Sequence, residues 1–212
     1  MLCLIVDLLF SFGINIDELL TKYGAWTYAI MFVIIFCETG LVVTPFLPGD
    51  SMIFAAATLS ARENSVLNIH LIVLFMTLAA FSGDVVNYFI GRYVGPKVYE
   101  KNHRIINRDR LKQTKNYFKK HGVRTIIYAR FIPVIRTFAP FVAGVGEMSY
   151  KRFMLFNFLG GLSWVAIYSY SGYFLGNIAF VKKHFEITVL IVLLGTLLPV
   201  VYAIIKSKFL KK

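Results

Sequence analysis

The fold is decided by residues 129–140, which read ARFIPVIRTFAP. This stretch places Arg130, Arg136 and two prolines in a run that is otherwise as apolar as a membrane interior. An arginine at bilayer depth costs at least about 2.5–3.5 kcal/mol, so it is retained only where protein or water surrounds it. Two such arginines therefore predict a polar cavity inside the membrane with an anionic partner.

The composition is that of a membrane protein with several spans. Of the 212 residues, 58% are hydrophobic and only 16% are charged, whereas about a quarter of the residues of a soluble domain are charged. Residues 153–181 and 187–205 contain no charged side chain, and about 18 consecutive apolar residues indicate a spanning helix. We therefore predict an all-α polytopic membrane protein.

The positive charge is concentrated in one segment. The formal net charge is +12, and residues 97–124 supply +8 of it. A basic segment flanked by spans is typical of a cytoplasmic loop, and it also suits contact with anionic lipid headgroups. Because no groove-reading or base-stacking motif accompanies the charge, nucleic acid is not expected as a partner.

The sequence contains few residues that could form an enzyme active site. Its four histidines and two cysteines are scattered without the spacing of metal ligands. Ser51 beside Asp50 is the most tempting hydroxyl nucleophile, and no histidine lies near it in the sequence. We therefore expect no metal, no cofactor, no catalytic residue and no enzyme activity.

Residues 23–61 and 125–146 are apolar, but prolines and glycines interrupt both. Irregular backbone at membrane depth is tolerated when it is buried in protein or lines a cavity. We interpret the two segments as re-entrant helical hairpins. The residues expected to break them are Pro48, Gly49, Pro133 and Pro140.

The predicted domain organisation is a single transmembrane domain, residues 23–205. Residues 1–22 begin with too few apolar residues to span, so we expect an interfacial segment there, with a crossing by residues 1–12 as the alternative. Between the hairpins we expect a span at 69–92, interrupted late by Gly83, Asp84 and Asn87, and the basic amphipathic segment. Two further spans, 153–177 and 187–205, and a basic tail, 206–212, complete the chain.

Two short motifs recur in the second half of the chain. Residues 46–48, FLP, align with residues 131–133, FIP, and residues 91–95, GRYVG, align with residues 172–176, GYFLG. One crossing separates the halves, so they would enter from opposite faces, as in inverted-repeat transporters with a site at the midplane. Charge then places the basic segment and the tail in the cytoplasm.

A set of motifs resembles the DedA family of bacterial membrane proteins along about residues 23–176. The motifs are Glu38-Thr39-Gly40, Pro45 to Ser51, Gly83-Asp84, Asn87-Tyr88, His121-Gly122, Arg130 to Pro133, Arg136 to Gly144, Met148-Ser149, Phe153, Asn157, Gly160 and Trp164. The resemblance implies two opposed re-entrant hairpins, a relation to eukaryotic lipid scramblases of the VTT-domain group, and a place in the bacterial cytoplasmic (inner) membrane. It also implies envelope maintenance, with undecaprenyl phosphate or phospholipid as the lipid moved and a link to the proton motive force.

In the family, the acidic and basic residues of these motifs are the functional ones, and they fall here on Glu38, Asp50, Arg130 and Arg136. Guanidinium forks suit a phosphate, so Arg130 and Arg136 are predicted to bind substrate. An unpaired carboxyl group at membrane depth favours its neutral form, so Glu38 and Asp50 are predicted to couple protons or gate the site. Residues expected to support the site are Pro48, Gly49, Asp84, Asn87, Pro133 and Asn157.

These residues predict a transporter or flippase for a lipid phosphate, with membrane lipid and protons as partners. One alternative is a proton-coupled transporter or antiporter of small ions. Another is a scaffold in which Arg130 and Arg136 pair with Glu38 and Asp50 only to lock the hairpins together. A monomer and an oligomer are both compatible with the sequence.

Overall fold

The computed structural model describes most of the predicted transmembrane domain. The described residues are 24–40, 49–63, 65–100, 125–131, 133–185, 187–192 and 194–195. Most of these residues are helical, and no strand occurs among them. Pro48, the interfacial segment 1–22, most of the basic segment and the tail lie outside the described residues, as does the later part of the span 187–205.

Six helices organise the described part of the chain. They are α1 (Trp26–Gly40), α2 (Gly49–Ser60), α3 (Ile69–Glu100), α4 (Pro133–Val145), α5 (Tyr150–Gly176) and α6 (Ala179–Lys183). Residues 125–129 and 187–192 are also helical.

Two stretches are long and apolar enough to cross a membrane, Ile69–Gly95 and Tyr150–Gly176. Each has 27 residues, and a rise of about 1.5 Å per residue carries such a helix across a hydrocarbon core of about 30 Å. Both also expose large apolar side chains, such as Leu74 and Leu155, which suits contact with lipid. They correspond to the predicted spans 69–92 and 153–177.

Helices α1, α2 and α4 are shorter, with 15, 12 and 13 residues. A spanning helix needs about 20 apolar residues, so none of the three crosses a full bilayer alone. They belong to the two segments predicted as hairpins, α1 and α2 to the first and α4 to the second.

The span that contains Gly83 is not interrupted, contrary to the expectation. Helix α3 runs unbroken through Gly83 and Asn87 and continues past Arg92 to Glu100. Gly83 allows close packing instead, because a Cβ built on it would overlap the hydroxyl of Thr39 and lie 2.8 Å from the carbonyl oxygen of Phe36. The glycine thus marks the crossing of α1 over α3.

Pro140 does not break the second segment, again contrary to the expectation. Helix α4 begins at Pro133 and passes through Pro140 to Val145. A proline at the first position of a helix removes an N–H that would lack an intrahelical partner anyway. Pro140 removes only the donor to the carbonyl of Arg136, and the helix continues past it.

Helices α3 and α4 are packed backbone to backbone. A Cβ built on Gly91 would overlap the carbonyl oxygen of Phe141, and one built on Gly144 would overlap that of Tyr88. Gly95 faces Val145 one turn further on, with its Cβ position 3.2 Å from the Val145 Cα. Small residues four apart allow this approach between apolar helices.

Helices α2 and α5 repeat the arrangement. A Cβ built on Gly172 would lie 2.5 Å from the carbonyl oxygen of Phe54, and one built on Gly176 would lie 2.7 Å from that of Thr58. The Thr58 hydroxyl also donates to the Gly172 carbonyl at 3.1 Å. The glycine pairs that align in the sequence therefore have the same role. Gly91 and Gly95 on α3 allow close packing of α4, and Gly172 and Gly176 on α5 allow close packing of α2.

The core is divided into two apolar clusters. The first is built from α1, α2, the start of α3 and the middle of α5, and includes Met31, Ile53, Met76 and Trp164. The second is built from the later part of α3, residues 125–129, α4 and the start of α5, and includes Tyr88, Ala129, Ala143 and Phe153. Since α3 enters the first cluster before the second and α5 does the reverse, the two long helices are antiparallel.

Candidate functional site

A layer of polar side chains separates the two apolar clusters. Asp84 and Asn87 lie on α3 between Ala80 and Tyr88, and Asn157 lies on α5 between the two clusters. All members of the layer are buried, with at most 7% of each exposed: Glu38, Asp50, Asp84, Asn87, Arg130, Arg136 and Asn157. On α3 the layer lies near the middle of the apolar stretch Ile69–Gly95, and charges inside an apolar span are costly unless they are paired.

Arg136, in the first turns of α4, joins both limbs of the first predicted hairpin. Its Nη1 donates to Oδ1 of Asp50 at 2.6 Å, and its Nη2 donates to Oε1 of Glu38. Glu38 lies near the end of α1, whereas Asp50 lies in the first turn of α2, where the helix dipole favours an anion. One guanidinium therefore bridges two carboxylates from different helices.

Trp164 on α5 covers one face of the Arg136 guanidinium. The Cζ atom of Arg136 lies 4.6 Å from the Trp164 ring centroid, well within the range of a cation–π interaction. The indole is 1% exposed, so it holds the guanidinium plane from a rigid position. An anion can therefore pair with the guanidinium along its edges, where the N–H groups point.

Arg130 forms a separate centre with the two long helices. Its Nη2 donates to Oδ2 of Asp84 on α3 and to Oδ1 of Asn157 on α5. Asn157 in turn donates from Nδ2 to the carbonyl of Phe81 at 3.2 Å. The side chain lies over Gly160, whose Cβ position is 3.6 Å from it.

The division into two centres corrects one expectation. Arg130 and Arg136 were both expected to face Glu38 and Asp50 in one cavity, but only Arg136 does so. Arg130 precedes α4, at the end of the helical residues 125–129, and it pairs with α3 and α5 instead. Asp84, expected only to support the site, is thus a full ion-pair partner.

Asn87 links the backbones on either side of the Arg136 centre. Its Nδ2 donates to the carbonyl of Thr39 at 3.1 Å and to the carbonyl of Thr137 at 2.7 Å. Thr39 directly follows Glu38 in the chain, and Thr137 directly follows Arg136. The amide group therefore sits beside the ion pair.

Gly49 makes room for Glu38. A Cβ built on Gly49 would overlap Oε2 of Glu38 and lie 2.9 Å from Cδ1 of Ile35. The missing side chain lets the first turn of α2 approach the carboxylate closely. Of the other residues expected to support the site, Pro133 begins α4.

Sequence reasoning gave Trp164 no role. The signal was present as a spacing on α5, where Asn157, Gly160, Gly161 and Trp164 follow one another at helical intervals of three, four and seven residues. Residues at these intervals share one face of a helix. This face carries the α5 contacts of both arginines.

The fold and the buried polar layer are those of a membrane-embedded helical protein, and comparison with known proteins supplies the family. Residues 47–174 match the VTT domain. This match covers more than half of the chain, which therefore belongs to the DedA family of membrane proteins that carry this domain. The resemblance drawn from the motifs is confirmed.

Curated relatives support the same conclusion. The chain is 46% identical to protein DedA of Escherichia coli (strain K12) over 205 residues, which cover 96% of this chain and 94% of that protein. It is 38% identical to an uncharacterized membrane protein of Mycobacterium tuberculosis (strain H37Rv) over 178 residues, 84% of this chain and 78% of the relative. It is 33% identical to the inner membrane protein YghB of Salmonella typhimurium over 196 residues, 86% of each chain. No solved structure matches the chain.

Proposed function

We propose that this protein moves a lipid phosphate, undecaprenyl phosphate or a phospholipid, across the cytoplasmic membrane. The observation that carries the proposal is the state of Arg136, a buried guanidinium at the centre of the fold whose two Nη atoms are both engaged by carboxylates. A phosphate accepts the same paired hydrogen bonds as a carboxylate. The anion positions around Arg136 are therefore chemically suited to a lipid headgroup.

In this proposal the headgroup exchanges with Glu38 and Asp50. The carboxylates neutralise Arg136 when the site is empty, and their protonation frees the guanidinium for phosphate. Trp164 keeps the guanidinium in place during the exchange, since its contact does not depend on either carboxylate. The lipid tails stay in the bilayer, so only the headgroup crosses the protein interior.

The charges in the layer favour coupling to protons. Glu38, Asp50 and Asp84 face two arginines, so the five groups together carry one excess negative charge when all are ionised. An unbalanced charge in an apolar interior is costly. Binding of an anionic headgroup would add to this excess, which is why the proposal includes proton uptake by Glu38 or Asp50 and a link to the proton motive force.

Arg130 supplies a second positive charge to the same layer. In the proposal it serves as a second phosphate contact when the headgroup passes between the hairpin tips. In this proposal the two re-entrant hairpins enter from opposite faces, and this inverted repeat gives the headgroup access from both sides. The basic segment 97–124 and the tail are then on the cytoplasmic side.

The test is lipid translocation in proteoliposomes that contain the purified full-length protein. Labelled undecaprenyl phosphate and labelled phospholipids are followed with and without a pH gradient, for wild type and for Arg136→Ala. The matched control is Arg152→Ala, which removes an exposed arginine from the first turn of α5. We expect movement of one lipid class that is lost in Arg136→Ala and kept in the control.

Dependence on the pH gradient would assign Glu38 and Asp50 to coupling, and Glu38→Gln is expected to remove that dependence. If no lipid moves with protein shown to be folded, the lipid proposal fails. A flux of small ions under the same conditions would then favour the ion-exchange function, for which the excess of carboxylates over arginines is the supporting observation.

A further inference from the structure

Asn87 occupies a special position in the polar layer. It lies on α3, so it contacts α1 and α4 from a third helix, and its side chain is fully buried. Both hydrogens of its amide group are used, one for each of the helices that carry Glu38 and Arg136. The two acceptors are main-chain carbonyls, so the contacts constrain the backbones.

The two carbonyl groups lie next to the ion pair in the chain. Each belongs to the residue that follows one member of the pair, Thr39 after Glu38 and Thr137 after Arg136. The Nδ2 atom lies 3.1 Å from one carbonyl oxygen and 2.7 Å from the other. A single nitrogen thus limits how far these two points of the backbone can move apart.

We propose that Asn87 is a positioning residue that sets the resting separation of Glu38 and Arg136. It clasps the end of α1 to α4 through α3, so that the ion pair opens only when at least one of these hydrogen bonds breaks. The clasp is a property of the two backbones and does not depend on the ligand. It rests on the proposed function only for its consequence, which is control over when Arg136 becomes available to a headgroup.

The chemistry of the amide makes the clasp specific to asparagine. Leucine has a similar volume but no donor, so it leaves two buried carbonyl groups without the bonds that Asn87 provides. Serine is shorter and offers one donor, so it can restore at most one of the two bonds. The stability of the variants should depend on the volume and burial of the side chain at position 87. The separation of α1 and α4 should depend on the number of hydrogen-bond donors that this side chain offers.

The experiment measures the distance between α1 and α4 by electron spin resonance on the full chain in lipid. Nitroxide labels are attached through Val33→Cys on α1 and Phe138→Cys on α4, both exposed at 58% and 41%, in a background in which Cys3 and Cys37 are replaced by serine. The variants compared are Asn87→Leu, Asn87→Ser and Ser82→Ala. Ser82 is the matched control, because it lies on the same helix and its hydroxyl donates to the Leu78 carbonyl of its own helix.

We expect a single narrow distance in the background protein and in Ser82→Ala. Asn87→Leu should lengthen the mean distance and broaden the distribution, and Asn87→Ser should fall between Asn87→Leu and the background. With Asn87 intact, Glu38→Gln should leave the distance unchanged, because the clasp holds the helices when the ion pair is lost.

A folded Asn87→Leu protein with an unchanged distance would overturn the proposal. If Asn87→Leu does not fold, Asn87→Ser decides, and a distance identical to the background again overturns it. The readout needs no transport, so the two proposals fail separately. Absence of lipid movement in wild type refutes the proposed function while leaving the clasp intact, and an unchanged distance refutes the clasp while leaving transport intact.

Discussion

Nη1 of Arg136 lies 2.6 Å from Oδ1 of Asp50, although 86 residues separate the two in the chain. The same guanidinium also pairs with Glu38, 98 residues away. These contacts join α1, α2 and α4 at the level where the two apolar clusters meet. A buried ion pair adds little net stability compared with apolar packing, but removing one partner leaves an uncompensated charge. The pair therefore makes the three helices depend on one another.

This dependence predicts an asymmetric effect of Arg136→Met. The substitution leaves two buried carboxylates without their cation, and we expect a loss of about 3–5 kcal/mol of stability. In the background Glu38→Gln/Asp50→Asn the same substitution should cost far less, because no anion is left unpaired. Thermal unfolding in detergent measures both, and equal losses in the two backgrounds would contradict the pairing.

The separate Arg130 centre predicts a selective coupling. In a double-mutant cycle, Arg130→Met and Asp84→Asn should show an interaction energy of about 0.5–3 kcal/mol, as contacting residues do. The cycle of Arg130→Met with Asp50→Asn should show a smaller interaction, because Asp50 pairs with Arg136 instead. A larger coupling of Arg130 to Asp50 than to Asp84 would show that the two arginines share one set of acids.

The contact of Arg136 with Glu38 and Asp50 could be anticipated from sequence because charges at membrane depth need partners, and few were on offer. The partner of Arg130 could not. Helices α3 and α5 are apolar toward both lipid and core, so their hydrophobic pattern does not reveal which face points inward. Without that rotation, Asp84 could not be matched to Arg130.

Glycine and proline illustrate a second limit. Gly83 and Pro140 both weaken a helix in isolation, and the sequence pattern indicates breaks at both. In the fold, Gly83 lies where α1 crosses α3, and its packing against Thr39 and Phe36 outweighs the local preference. Whether a glycine ends a helix or allows a neighbouring helix to pack closely depends on residues that are distant in sequence.

The glycine pairs predict where a single methyl group is harmful. Gly91→Ala and Gly172→Ala each press a Cβ against a main-chain carbonyl oxygen of the neighbouring helix, and a backbone yields less readily than a side chain. Overpacking of this kind costs about 1–3 kcal/mol, so both variants should melt at lower temperature than wild type. Gly195→Ala is the control, because among the described residues no atom lies within 4 Å of its Cβ position. Equal melting temperatures for all three would refute the close approach.

Trp164 predicts a graded series. Trp164→Phe keeps an aromatic face near Arg136, whereas Trp164→Leu removes it, and a cation–π contact contributes about 0.5–2 kcal/mol. Lipid movement should therefore decrease in the order wild type, Trp164→Phe, Trp164→Leu. Arg136→Met removes the cation, and in that background the stability difference between Trp164→Phe and Trp164→Leu should shrink. A difference of unchanged size would mean that Trp164 acts through packing alone.

Gly49→Ala separates the geometry of the site from its charge. The added methyl group would occupy the position of Oε2 of Glu38, so the carboxylate that pairs with Arg136 must shift although both charges remain. We expect lipid movement to fall in Gly49→Ala and to be kept in Gly160→Ala, where the new Cβ meets Arg130 at an ordinary contact distance of 3.6 Å. Both variants add one methyl group to a glycine beside the polar layer, and the melting temperature of each, measured with transport, shows whether a loss of movement comes from unfolding. Normal transport by folded Gly49→Ala would mean that the position of Glu38 against Arg136 does not limit the movement of the headgroup.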